Sequence, residues 1–340
     1  PTEPPPLREE PSTANVTIVE IETDEGIIGY GKAGENPAVS DFINGKAADF
    51  LMGKNPILTE QIWGRMVRQF ASDDPGSGSA LAAIDIALWD IKGKALGQPV
   101  WRLIGGSRNP IEAYVSFGLG GPNTSMSQVP AYSTEELVEE AKILVKQGQT
   151  RLKTGVGRFE IPNPDEDAAR MIALREALGW DITLMMDAAK IMTIDDALRL
   201  CKLCEPYDIA FFEEPVTGND PRLLADLRRQ TSIPLAANPP GYRSAYLELL
   251  VNDSVDFVQP NVAQIGYTES CKVAELAEAF NIPISNGNGS GPHNAHLQAG
   301  MANGSSVEFH YRHWMVYRAV YKDLPEPKDG WLTVPDTPGL

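Results

Sequence analysis

Cysteine is scarce in this chain: only Cys201, Cys204 and Cys271 occur in 340 residues. A disulfide framework is therefore excluded as the basis of the fold, and a reducing cytoplasm is the expected compartment. Basic residues are also short, 29 against 46 acidic ones, for a net charge of −17. That deficit argues against non-specific nucleic-acid or anionic-membrane binding, both of which need a basic face. A small anionic substrate remains compatible if the site carries local positive charge. No apolar run approaches the roughly 18 residues that span a bilayer, and no charged-then-apolar signal opens the chain. Disorder is not expected either, since 42% of residues are hydrophobic and 22% charged, both ordinary globular values.

What is present divides into two patterns. Pro1 to Ala14 is rich in proline and charge and reads as an irregular loop, and the absence of an initiator Met suggests a missing N-terminal segment. Asn15 to Gly34 reads as a hairpin around a turn at Asp24-Glu25-Gly26. Ala80 to Leu96 places Leu81, Ile84, Ala87, Leu88 and Ile91 at helical spacing, with Gly97 as the stop. The first hundred or so residues thus predict a small α+β unit.

From about Ile111, short β-rich runs alternate with helical ones. The expected strands are Ile111–Phe117, Thr150–Thr154, Ile182–Met186, Ile209–Phe212, Ile233–Ala236, Phe257–Gln259, Ile282–Ser285 and Ser306–Glu308. Helical stretches separate them, and the strand-to-strand interval of about 25–35 residues is what a parallel α/β barrel needs. The proline-rich last thirty residues read as an irregular tail.

In such a barrel, functional side chains stand at the C-terminal ends of strands. The polar residues closing the apolar runs are Lys153, Asp187, Glu213 with Glu214, Asn238, Asn261, Asn286 with Asn288, and Glu308. Asp187 and Glu213, one strand apart, bring two like charges to one barrel mouth, which favours a cation between them. An all-oxygen ligand set suits Mg²⁺ better than zinc. The alternative is that each acid merely caps the following helix.

The segments SALAAIDIALWDIKGKALGQPVWRLIGG (from Ser79), FFEEPV (from Phe211), VDFVQPNV (from Val255) and the ending GWLTVPDTPGL resemble the enolase superfamily. The specific likeness is to its mandelate racemase/muconate lactonizing enzyme branch and the acid-sugar dehydratases within it. The resemblance covers nearly the whole chain from Asn15. It implies a modified TIM barrel, (β/α)7β, over residues 108–310. An N-terminal α+β capping domain would occupy 1–107, with its first strand missing, and a tail over 311–340 would complete it. It also implies Mg²⁺-assisted proton abstraction next to a carboxylate. The expected substrate is a small hydroxy-carboxylate such as a sugar acid. The expected assembly is a homo-oligomer, a dimer or an octamer.

The match to the family pattern is uneven. Lys153 stands for the first lysine of a Lys-x-Lys pair, and Gly155 replaces the second. Asp187 and Glu213 match the first two metal ligands. Pro239 falls where the third belongs, which leaves Asn238 as the nearest side-chain oxygen. Asn261 and Asn286 (or Asn288) replace an Asp–His dyad, and asparagine carries no titratable proton. Glu308 matches the electrophilic acid of the last strand. Lys190 and His293 are the alternative sources of a base. His310 and His313 are expected to be structural, and a metal or redox role for Cys201 and Cys204 is not expected. Three functions follow from this set: an acid-sugar dehydratase, a hydroxy-acid racemase or epimerase, or a degenerate member that binds a carboxylate without turnover.

Overall fold

The computed structural model describes residues 16–34, 36–71, 77–118, 133–157, 163–287, 292–322 and 324–340. The N-terminal loop expected over Pro1 to Ala14 lies outside them. The hairpin is formed by β1 (Val16–Glu22) and β2 (Ile28–Gly34), paired antiparallel from Val16↔Gly34 to Glu22↔Ile28. Glycine in β2 lets a helix press directly on the strand. A Cβ on Gly31 would stand 1.9 Å from the Ala83 carbonyl oxygen. That helix, Ser77–Leu96, is the central element of the cap, and Leu81, Ile84 and Leu88 pack with Phe42, Ile62, Trp63 and Met66. The run Pro37–Leu51 and the helix Thr59–Phe70 complete the unit and were not expected from the sequence. The second has a legible signal, since Ile62, Trp63, Met66 and Phe70 are all buried on one face.

Eight parallel strands then follow: β3 (Ile111–Phe117), β4 (Arg151–Gly155), β5 (Thr183–Asp187), β6 (Ile209–Glu213), β7 (Leu235–Ala237), β8 (Phe257–Val258), β9 (Ile284–Asn286) and β10 (Gly304–Phe309). Each pairs with the next, and β10 also pairs with β3, which closes the sheet into a barrel. Helices alternate with the first seven strands, so the architecture is the predicted α/β, modified TIM barrel of (β/α)7β type with an α+β capping unit. β3 has the expected bounds, and the other seven strands differ from expectation by one or two residues at their ends. Inside the barrel, Tyr114, Met185, Phe211 and Ala236 form an apolar plug beneath the mouth. No helix among the described residues is long and apolar enough to cross a membrane.

The tail serves both units. β11 (Trp331–Leu332) adds antiparallel to β3, and the Leu340 backbone N–H donates to Asp90 of the cap helix at 3.0 Å. Arg151, at the start of β4, pairs with Glu112 at 2.9 Å and donates to the Gly330 carbonyl, so it lies at the end of the barrel opposite the mouth.

Buried carboxylates pin the cap to the barrel: Glu269 accepts from the Trp63 indole N–H at 3.1 Å, and Asp85 makes the second such contact. Asp85 accepts hydrogen bonds from the Thr268 backbone N–H at 2.9 Å and from its hydroxyl at 2.6 Å. Thr268 lies in the helix Val262–Ala279, which breaks at Gly266, where φ is +71°. A Cβ on Gly266 would fall 2.6 Å from Asp85 Oδ2, so the break and the contact require each other. Burial pushes the Asp85 carboxyl up to about 7, although both Thr268 bonds oppose the shift. A raised carboxyl favours folding while protonated, and that contribution is lost as pH rises from about 4 through 7. Asp85→Asn is therefore expected to gain on the wild type across that window, by at most about 1.4 kcal/mol per pH unit. Urea unfolding at pH 4, 5.5 and 7 measures the difference; a difference that stays constant with pH contradicts it.

Candidate active site

Barrel strands alternate inward and outward side chains. Toward the mouth, the inward set beside the Tyr114–Met185–Phe211 plug includes Ser116, Lys153, Asp187, Glu213, Gln259 and Glu308, with Glu308 in register with Tyr114 and Lys153 with Met185. The ladder places Ser116 beside Lys153 and Asp187 beside Glu213. The sequence therefore delivers two acids to neighbouring strand ends, as their positions after Leu184-Met185-Met186 and Phe211-Phe212 predict.

Lys153 occupies the centre and is 1% exposed. Its ammonium lies 2.5 Å from Glu213 Oε2, 3.1 Å from Glu308 Oε1 and 3.3 Å from Asp187 Oδ2. It also lies 5.2 Å from the Tyr114 ring centroid, over its face. Ser116 donates to Glu308, and the Ala189 N–H donates to Asp187 Oδ1 at 2.8 Å. Burial alone would lower the Lys153 ammonium, but Glu213, Glu308, Tyr114 and Asp187 together hold it well above the usual lysine range. Burial raises the Glu213 carboxyl to about 8 against the pull of Lys153, and Asp187 and Glu308 add to the rise. Burial also opposes ionisation of Glu308, yet Lys153, the Ser116 bond and the nearby His313 hold it below the usual range. Three carboxyl groups thus face one ammonium, and the rise at Glu213 marks a site short of positive charge.

That shortage suits a hard divalent cation. Asp187 and Glu213 are oxygen donors on adjacent strands, and Mg²⁺ is commonly held by one or two carboxylates together with waters and substrate. Among the described residues, no group of three acidic, histidine or cysteine side chains is arranged to hold a metal alone. Asn238 is hydrogen-bonded to its own neighbours: its Oδ1 accepts from the Tyr246 hydroxyl at 2.8 Å and its Nδ2 donates to Gln264 at 3.0 Å. Tyr246 comes from the helix Arg243–Val251, and no local sequence signal marks it as a partner.

The two other asparagines are also engaged. Asn261 caps the helix Val262–Ala279 by accepting from the Ala263 N–H at 3.0 Å. Asn286 donates to the Pro260 carbonyl and accepts from Gln298 at 2.7 Å, so its side chain braces the barrel wall. The pleat gives the inward position on this strand to Gly287. Asn288 lies outside the described residues. Lys190 pairs with Glu214 at 2.9 Å. His293 is buried, 2.9 Å from the Tyr321 hydroxyl, and His296 accepts from the Trp101 N–H at 3.2 Å. Burial pushes both imidazoles down to about 3, which keeps them neutral. His310 and His313 stack with ring centroids 4.4 Å apart. The Cys201 and Cys204 thiols are pushed up to about 12 by burial, which suppresses thiolate chemistry. Two inward residues, Ser116 and Gln259, were not singled out from the sequence. Their signal is the period of two along β3 and β8.

Comparison with known proteins agrees with this fold. Residues 136–340 match the family model described as enolase C-terminal domain-like, and residues 8–105 match the N-terminal domain of mandelate racemase/muconate lactonizing enzyme. The arabinonate dehydratase of Saccharolobus solfataricus is 31% identical, over 96% of this chain and 87% of that protein. The 3,6-anhydro-D-galactonate cycloisomerase of Zobellia galactanivorans superposes with a TM-score of 0.83 at 32% identity, covering 95% of this chain and 90% of the other. L-talarate dehydratase from Polaromonas sp. JS666, crystallised with Mg and L-glucarate, superposes with a TM-score of 0.82 at 26% identity, covering 95% and 88%.

Removing the central ammonium leaves three buried carboxyl groups without a counter-charge. Lys153→Met is expected to destabilise the metal-free protein by about 3–5 kcal/mol at pH 7.5. Millimolar Mg²⁺ should recover a substantial part of that loss. Chemical denaturation with and without Mg²⁺ checks it, and an unchanged stability contradicts the central role of Lys153.

Proposed function

Since the chain belongs to the mandelate racemase/muconate lactonizing enzyme family of the enolase superfamily, we propose that it is a Mg²⁺-dependent lyase acting on a sugar acid, an acid-sugar dehydratase. One observation carries this reading: Lys153, Asp187, Glu213 and Glu308 meet within one buried cluster at the barrel mouth. Named relatives that are arabinonate and D-galactonate dehydratases support the substrate class.

Asp187 and Glu213 would hold the metal, with Asn238 engaged by Tyr246 and Gln264. The metal would supply a positive charge that stabilises negative charge developing on the substrate carboxylate. Lys153, fixed as an ammonium, holds that carboxylate and cannot act as a base while charged. Asn261 and Asn286 carry no titratable proton and position backbone. Glu308 is the inward acid outside the metal pair. Its carboxylate, steadied by Ser116, is the group placed to take the proton from the carbon next to the substrate carboxylate and to return it to a leaving hydroxyl.

Racemisation or epimerisation by two bases needs a titratable group on each face of the reacting carbon. Gly155, paired in register with Asp187, supplies none on the β4 side. Elimination needs only one group that serves in turn as base and acid, so the site favours dehydration. A second reading keeps one observation of its own. The engagement of Asn238 by Tyr246 and Gln264 leaves the third metal position without a side-chain ligand, which favours carboxylate binding without turnover.

Two measurements separate these readings. Mn²⁺ binding followed by electron paramagnetic resonance is expected to show one site that is lost in Asp187→Ala. Incubation with Mg²⁺ and a panel of sugar acids in D₂O is expected to convert at least one to its 2-keto-3-deoxy product, and Glu308→Gln is expected to slow that conversion at least 100-fold. Metal and acid binding without exchange or dehydration of any acid points to the non-catalytic reading. Absence of the Mn²⁺ site overturns the metal-dependent one.

A further inference from the structure

Gln259 directly follows β8, and the alternation that places Glu213 and Glu308 at the mouth carries on to it. It is 1% exposed. Neither its Oε1 nor its Nε2 has a hydrogen-bond partner. The polar residues around it are committed: Lys153 to the three carboxyl groups, Asn238 to Tyr246 and Gln264, and Asn286 to Pro260 and Gln298. A buried amide with both ends unsatisfied carries a desolvation penalty of about 1–3 kcal/mol per group. The surroundings do nothing to relieve it.

A second observation locates what is missing. A Cβ on Gly287 would sit 2.7 Å from Glu213 Oε1 and 3.5 Å from Gln259 Nε2. Gly287 therefore lets the Glu213 carboxylate approach its backbone closely, and the Gln259 amide borders the same place. A group that reaches Gln259 meets a donor and an acceptor on one amide. A metal ion would use only the amide oxygen and leave the N–H unpaired. A substrate carboxylate would use only the N–H. A hydroxyl uses both, accepting from Nε2 and donating to Oε1.

We propose that Gln259 is a specificity-determining residue whose partnerless amide, beside Glu213, reads a hydroxyl group of a bound polyhydroxy carboxylate. This rests on the sugar-acid reading given above. It assigns to β8 the task of telling a hydroxylated acid from an unadorned one, while Lys153 holds the carboxylate shared by both. Such discrimination is steep, because an analogue without the hydroxyl leaves the amide unpaired.

The test uses Gln259→Met, which keeps the volume and removes both hydrogen-bonding groups. Calorimetric titration in Mg²⁺ compares D-gluconate and D-xylonate with hexanoate, which has a carboxylate and no hydroxyls. Wild type is expected to bind at least one aldonate and to prefer it to hexanoate. The variant is expected to lose about tenfold or more in aldonate affinity, with hexanoate unchanged. In the ligand-free state its melting temperature should rise by about 1–2 °C, because an unsatisfied buried amide is gone. A residue that only props the barrel would move the melting temperature down, and that result overturns the proposal. Equal aldonate affinity in variant and wild type overturns it alone and leaves the sugar-acid reading standing. Binding of neither aldonate by the wild type counts against both.

Discussion

One ammonium among three carboxyl groups holds the mouth of this barrel together. Lys153 is within 3.3 Å of Asp187, Glu213 and Glu308, and its burial makes the arrangement sensitive to each member. A cluster of like charges in a low-dielectric interior is tolerated only when a cation or a proton offsets it. The raised Glu213 carboxyl is the proton solution, available to the protein by itself. A divalent ion on Asp187 and Glu213 is the other, and it would free Lys153 to face a substrate carboxylate. The overall charge of −17 therefore says little about substrate sign, because the local field at the mouth is set by these few groups.

Construction of the cluster depends on the barrel closing in the right register. Asp187 meets Glu213 across β5 and β6, while Lys153 meets Ser116 across β4 and β3. A shift of one residue in any of these strands would turn the acid outward. The apolar plug of Tyr114, Met185 and Phe211 packs beside the charged set, which lies toward the mouth. The cap is docked by the Asp85–Thr268 contact, which needs the Gly266 break, and by the tail reaching Asp90.

Much of the barrel is legible in the sequence because the relevant signals are local. Each barrel strand is a short apolar run, and the acids at 187 and 213 end their runs directly. That local pattern is enough to put the carboxylate pair at neighbouring strand ends. What is not legible depends on distant partners or on the direction of one side chain. Asn238 follows its strand directly, but its partners Tyr246 and Gln264 come from helices further along the chain and carry no local signal. Asn286 closes an apolar run as Asp187 does, yet the pleat of β9 turns it onto Pro260 and Gln298 and gives the inward place to Gly287. Gln259 has no charge to attract notice, and only its buried, unsatisfied amide marks it. The helix Thr59–Phe70 carries its apolar face openly at helical spacing, whereas the docking of Asp85 depends on a residue 183 positions away.

The central claim is that Asp187 and Glu213 form a cation site and that Lys153 turns from them toward a substrate carboxylate. The most direct test is an anomalous difference map from crystals grown with Mn²⁺ and a sugar acid. The account predicts a single strong peak touching Asp187 and Glu213, with the Lys153 ammonium on the acid's carboxylate. A map with no peak at that pair, and Lys153 still bridging Asp187, Glu213 and Glu308, would contradict it.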